Sequence, residues 1–362
     1  MTKLAFAALG DIHLADTIWR SRPDVTGDAV LGLKNLYEVA KHNGVPAVIV
    51  GDLFDTAEQR DPGCLVQFLR LTDEMQSLGI PVYAIQGNHD KRPVPWYAAH
   101  EWVTHIGDGK PVMINGVKSC GFDFDITDRI HDRIKSCPEV DCLFLHQAVK
   151  QALKFEGAWN CDLELVPDFV KLIVMGDIHT EWSKRMSDTQ VALYTGSGHP
   201  RSHPEFGDRS VVLVSRDLTF KRVGVSTRPM RAFVWGEKAP DDILKWLEEA
   251  LLAGVPVPLP HFVHVTHTDY QVPEINALKL KCAEAGKTVL WGSSEIPTIS
   301  KTETATNSGE ESSEIPTPAE IMSKRVKDSQ ALSLALDLVS SQVPLADTLL
   351  AHRTNFFKAK NA

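Results

Sequence analysis

Four apolar runs in this 362-residue chain stop in the same way. "LAFAALGDIH" (4–13), "PAVIVGDLFD" (46–55), "PVYAIQGNHD" (81–90) and "KLIVMGDIH" (171–179) each pass through a glycine into Asp, Asn and His side chains. A fifth run, "DCLFLHQ" (141–147), ends on His146 without the glycine. Runs of this length, separated by helical patterns such as "DAVLGLKNLYEVAKHNG" (28–44) and "CLVQFLRLTDEMQSLG" (64–79), predict an α/β domain. In an open α/β sheet the carboxyl ends of the strands share one edge, where ligands bind, and glycine permits the sharp turn there. The pattern therefore predicts that Asp11, His13, Asp52, Asn88, His89, His146, Asp177 and His179 converge. Any single ending of this kind is an ordinary polar residue leaving a sheet. Five that use only Asp, Asn and His are not accounted for in that way. Mixed carboxylate, imidazole and amide donors suit manganese, iron or zinc better than an all-oxygen cage, and their number suits two ions bridged by the two oxygens of Asp52.

The two "GDIH" stretches are not an internal repeat. The glycine-containing endings begin at 10, 51, 87 and 176, with no fixed period. They read as the first and last parts of one site.

Closely spaced β-branched runs at about 190–225 finish a first domain, expected at 1–226. A strand, helix, strand, helix, strand pattern follows and predicts a small α/β domain over 227–292. Residues 293–318, rich in Ser, Thr and Glu and carrying "SSEIPT" twice, predict a disordered linker. Thr317, Pro318 and Glu320 then form a helix start, and 319–362 reads as a helical tail whose apolar faces either fold back on the main domain or grip a partner. The formal net charge of −9 argues against coating nucleic acid by bulk attraction, although bound cations invert the charge of a carboxylate-rich cleft. Six scattered cysteines without a Cys-x-x-Cys pair predict neither a zinc ribbon nor a disulfide framework, and a reducing cytoplasm fits them. No run approaches the roughly 18 apolar residues of a membrane span. No secretion signal is expected. His261, His264 and His267 alternate faces on one strand, which favours ordinary histidines over a zinc cluster. Trp159 and Trp182 read as core residues before base-stacking ones.

In order, "GDIH", "GDLFD", "GNHD", "LHQ" and "GDIH" resemble the motif series of the calcineurin-like metallophosphoesterases. Within that superfamily, "GDLFD", "LHQ", "YTGSGHPRSHPEFGDRSVVLVS" and "RPMR" are similar to the SbcD-type DNA repair nuclease subunits. The resemblance implies a metallophosphoesterase β-sandwich flanked by helices, a small α/β capping domain and a partner-binding tail. It implies a first ion held by Asp11, His13 and His179, a second by Asn88, His146 and Asp177, and Asp52 between them. His89 would stabilise the transition state or protonate the leaving oxygen, Asp90 would orient His89, and Asp55 would support the site or be structural. Asp177 stands where most members have histidine, and the extra carboxylate favours manganese, or magnesium, over zinc. The implied activity is two-metal hydrolysis of DNA phosphodiesters by a homodimer working with an SbcC-like ATPase bound through residues 319–357. Arg20, Arg22, Lys91, Arg92 and Arg201 are candidate guides for the DNA backbone. A phosphomonoesterase or cyclic-nucleotide phosphodiesterase, and an inactive ATPase-docking adaptor, remain the alternatives.

Overall fold

A computed structural model describes residues 3–15, 25–57, 62–153, 155, 157–201, 205–236, 238–252, 259–268 and 271–295. Arg20, Arg22, the expected tail and all but the first three residues of the expected linker lie outside them. In chain order the elements are β1 (Leu4–Leu9), α1 (Asp28–Asn43), β2 (Ala47–Val50), α2 (Pro62–Ser77), β3 (Val82–Ile85), β4 (Val103–His105), β5 (Val112–Ile114), β6 (Val117–Phe122), α3 (Thr127–Lys135), β7 (Cys142–His146) and β8 (Leu172–Gly176). β9 (Trp182–Arg185), β10 (Val191–Tyr194), β11 (Arg209–Ser215), β12 (Phe220–Val225), β13 (Met230–Val234), α4 (Ala239–Leu252), β14 (His261–His267), α5 (Val272–Glu284) and β15 (Val289–Glu295) follow.

The donor-bearing strands are buried on both faces, and the alternation of their side chains shows why. Phe6 and Ala8 of β1 join Val48 and Val50 of β2 against Phe144 of β7, Val174 of β8 and Leu193 of β10. Ala7, Leu9, Ala47 and Ile49 point the other way, onto Leu33 and Leu36 of α1 and Phe68 and Met75 of α2. Leu143, Leu145 and Ile173 meet Ile130 and Ile134 of α3 on the far side. The result is two six-stranded sheets face to face with helices outside, ordered β12-β11-β1-β2-β3-β4 and β5-β6-β7-β8-β10-β9. Each buried Val, Leu, Ile or Phe contributes about 1.5–3 kcal/mol, so this double layer is a firm base for whatever the strand ends carry.

One expectation needs refinement. The five strand ends do not line the edge of a single sheet: β1, β2 and β3 run parallel in the first sheet, and β7 and β8 run parallel in the second.

The residues after 227 form a parallel three-stranded sheet, β13-β14-β15, and β15 runs to Glu295, past the expected end of this unit. Val263 and Val265 of β14 pack on Ile243 and Leu247 of α4 and Ile275 and Leu278 of α5. His261 packs on Trp246, His264 lies 3.1 Å from the Ser294 hydroxyl, and His267 contacts the Thr268 carbonyl, so the three histidines do not form a cluster. Arg228 joins this module to the sandwich. Its buried guanidinium donates to both oxygens of Asp28 at the start of α1 and to the carbonyls of Thr26 and Pro260. Removing one partner of such a buried pair costs about 3–5 kcal/mol.

Candidate metal centre

The turns that leave the strands are strained at the residues that carry donors. Asp11, His13, Asp52 and Asp177 have φ of 52°, 49°, 49° and 94°, in the left-handed region. Each such residue costs about 1–3 kcal/mol and persists only where the surroundings over-determine it, which the inter-sheet core does here. The glycines have a different task from the one expected of them. At Gly87 an added Cβ would lie 2.0 Å from Asp52 Oδ1, and at Gly51 it would lie 2.2 Å from His146 Nδ1. Gly51 also turns at φ 82°, but Gly87 is there for room: a side chain would occupy the space of a donor.

The structure brings together Asp11, His13, Asp52, Asn88, His146, Asp177 and His179, with His89 beside them. Asp52 Oδ2 lies 3.5 Å from His13 Nε2 and 3.3 Å from His146 Nε2. Asp11 Oδ1 lies 3.9 Å from His13 Nε2, 3.9 Å from His146 Nε2 and 3.8 Å from His179 Nε2. Asp177 Oδ1 is 3.9 Å and Asn88 Oδ1 3.2 Å from His146 Nε2. Most of these separations are too long for hydrogen bonds. Metal–donor bonds of about 2.0–2.2 Å at tetrahedral to octahedral angles place donors about 2.9–3.6 Å apart, so the Asp52 and Asn88 separations suit a shared cation as they stand, and the four of 3.8–3.9 Å are slightly wider than that span. Asp52 Oδ1 accepts the His89 N–H at 2.9 Å, while Oδ2 faces His13 and His146.

Burial makes this concentration of charge expensive for the protein alone. It pushes Asp11 up to about 6 against the pull of His146 and His179, and it raises Asp177. It also drives His13 well below the ordinary imidazole value, and the ring's Nδ1 is a buried atom with no hydrogen-bond partner. Burial opposes charge on Asp52, yet His146, His13 and His89 outweigh it and hold that carboxylate far below its usual range. Burial likewise opposes charge on His146, but Asp52, Asp11 and Asp177 push it well above normal. Buried carboxylates of this density call for cations, and the donor set fits divalent ions.

The supporting residues differ from those expected. His89 Nδ1 meets the Asp55 carbonyl oxygen at 2.8 Å, and its ring stands edge-on to His13. Asp90 is buried beside the donor loops. Its oxygens accept the backbone N–H groups of Leu53 at 2.8 Å and Gly87 at 2.7 Å, binding two donor loops together. Burial, reinforced by Asp52, pushes Asp90 up to about 7. Asp55 Oδ1 lies 3.4 Å from His13 Nδ1 and pairs closely with Arg201, whose Nη1 is 3.1 Å from His13 Nε2. Arg201 thus reaches the donors. Lys91 and Arg92 are held elsewhere, by the Phe124 and Ala57 carbonyls. Lys150 lies over Trp159, and Trp182 packs on Tyr194. Glu205, 3.3 Å from His179 Nδ1, was not legible from spacing; its only signal was its place in the "YTGSGHPRSHPEFGDRSVVLVS" segment.

Comparison with known proteins agrees with this geometry. The chain is 24% identical over 218 residues to the DNA double-strand break repair protein Mre11 of Saccharolobus solfataricus, covering 54% of this chain and 57% of that protein, so it spans just over half of the relative's length. Residues 4–181 match the profile of the calcineurin-like phosphoesterases. That match spans every metal-donor residue named above, so residues 4–181 form a calcineurin-like phosphoesterase domain.

Proposed function

We propose that this protein is a metal-dependent DNA nuclease of the SbcD and Mre11 type that hydrolyses phosphodiester bonds with two divalent ions. The observation that carries the reading is the meeting of donors from both sheets around Asp52 Oδ2 and Asp11 Oδ1. Asp11, His13 and His179 would hold one ion and Asn88, His146 and Asp177 the other, with Asp52 available to both. When bound, such a pair lowers the pKa of water and neutralises phosphate oxygens. The three carboxylates favour manganese, with magnesium next. With His89 Nδ1 facing a carbonyl, Nε2 is the atom that hands a proton to the leaving sugar oxygen, a contribution of about 10²–10⁴-fold. Asp90 keeps the Asp52 and His89 loops in register, and Arg201 offers a guanidinium to a phosphate at the rim.

Residues 1–226 act as the nuclease domain and 227–292 as a cap that contacts DNA. The segment after Glu295, to 318, is a linker, and 319–357 docks an SbcC-like ATPase, in a homodimeric assembly. Among the described residues no helix is long and apolar enough to cross a membrane. End-labelled duplex DNA and small phosphate esters, incubated with manganese beside an Asp52→Ala control, test the proposal. DNA cleavage lost in the variant supports it. Hydrolysis of small esters alone assigns the site to a phosphatase or cyclic-nucleotide phosphodiesterase, and no metal-dependent hydrolysis leaves an adaptor.

A further inference from the structure

His179 presents its two ring nitrogens to opposite partners. Nε2 lies 3.8 Å from Asp11 Oδ1, on the donor side, while Nδ1 lies 3.3 Å from Glu205 Oε1. A carboxylate at Nδ1 keeps the proton there, leaves the lone pair on Nε2 and fixes the rotation of the ring. Glu205 is itself tightly placed. Its Oε2 accepts the Arg201 N–H at 3.1 Å, and its carbonyl accepts Arg209, whose other guanidinium nitrogen donates to the His179 carbonyl at 3.1 Å. One buried arginine thus ties the backbone of the donor to the backbone of its partner.

The next residue along the chain leads out of the domain. The Phe206 ring stands edge-on to Phe262 of β14, centroids 5.8 Å apart, and Phe262 is 1% exposed. Arg228 holds the entrance to β14 through the Pro260 carbonyl while gripping Asp28 of the sandwich. The small module is therefore seated against the residue that follows Glu205.

We propose that Glu205 is a positioning residue for His179, held in place by the small module through the Phe206–Phe262 contact. This rests on the reading of His179 as a metal ligand. It gives the module a role at the donor cluster that needs no contact between module and ion: displacing β14 shifts Glu205, and with it one ligand.

The test is manganese binding by the full-length protein, followed by electron paramagnetic resonance titration of wild type, Glu205→Ala, Glu205→Gln and Phe206→Ala. Circular dichroism melts in chelator check that each variant folds. Glu205→Ala is expected to weaken one of two ions by about 10–100-fold. Glu205→Gln, which keeps an acceptor for the Nδ1 proton, restores most of that loss. Phe206→Ala weakens the same ion by about 2–10-fold, the size of an aromatic pair's contribution. Wild-type affinity for both ions in Glu205→Ala overturns this inference alone. Wild-type protein that binds no manganese overturns the metal-ligand reading as well. If Glu205→Ala does not fold, unchanged binding by Phe206→Ala overturns the proposal.

Discussion

The chain writes "GDIH" twice, at 10–13 and 176–179, and the structure uses the two copies differently. Asp11 and His13 are fully buried, both with positive φ, whereas the Asp177 and His179 side chains are 19% and 22% exposed. Asp11 Oδ1 faces three imidazoles and its oxygens also accept the Asp177 N–H, so the first copy supports the second. Asp177 faces His146. Even the histidines diverge: burial drives His13 down, while at His179 Glu205 and Asp11 overcome burial and raise it. Identical letters supply identical donor atoms, and the neighbours decide what those atoms do.

The sharpest way to break this comparison is to remove the two aspartates separately. Asp11→Asn should cost manganese affinity and phosphodiesterase activity more than about 100-fold, and Asp177→Asn only about 10–100-fold, with calorimetric titration as the measure. Equal losses would make the copies equivalent.

The glycines give the next effect. A Cβ at Gly176 would lie 2.3 Å from the Val50 carbonyl and 2.6 Å from His146 Nδ1, but at Gly10 its nearest neighbour is 3.0 Å away. Urea denaturation should show Gly176→Ala destabilised by about 1–3 kcal/mol and Gly10→Ala by less.

A milder change places at position 177 the histidine that the motif resemblance leads one to expect there. Asp177→His should move the site toward zinc relative to manganese by about tenfold, measured by competition binding.

The smallest effect is in the titration of the metal-free protein. His13, with its folded pKa depressed, takes its proton in the unfolded chain first, so it lowers stability as pH falls below about 6.5. His179, raised, contributes stability that is full below about 6.5 and is lost as pH climbs through its folded value. Nitrogen NMR of the histidine rings in chelator should find His13 neutral and His179 still charged at a pH near 6.5; the reverse order would refute the assigned environments.

The strands that carry donors were legible because each is buried on both faces, which leaves an uninterrupted apolar run ending at a turn. β4, β5, β6 and β9 were not, since short strands with exposed residues such as Thr104, Met113, Lys118 and Ser183 leave no such run. The side chains that gather in the cleft could be named from the sequence, but their division between two sheets could not, because local patterns do not record which strands pair. Supporting contacts were the least readable. Asp90 serves the backbone N–H of Leu53, 37 residues back along the chain, as well as that of nearby Gly87, and Glu205 meets a ring contributed by a distant loop. A carboxylate's partner across such a separation leaves no trace in spacing.

The placement of donors on both halves of the sandwich has a consequence for the life of the molecule. Asp11 and His13 leave the ribosome long before His179, by about 10–30 s at typical synthesis rates. Until the later motif arrives, the early one has no counterpart across the interface and little grip on an ion. Cations captured there would act as rivets between the two sheets, favouring the folded form by mass action. Loading would in this sense be a receipt that the donors of both sheets have met.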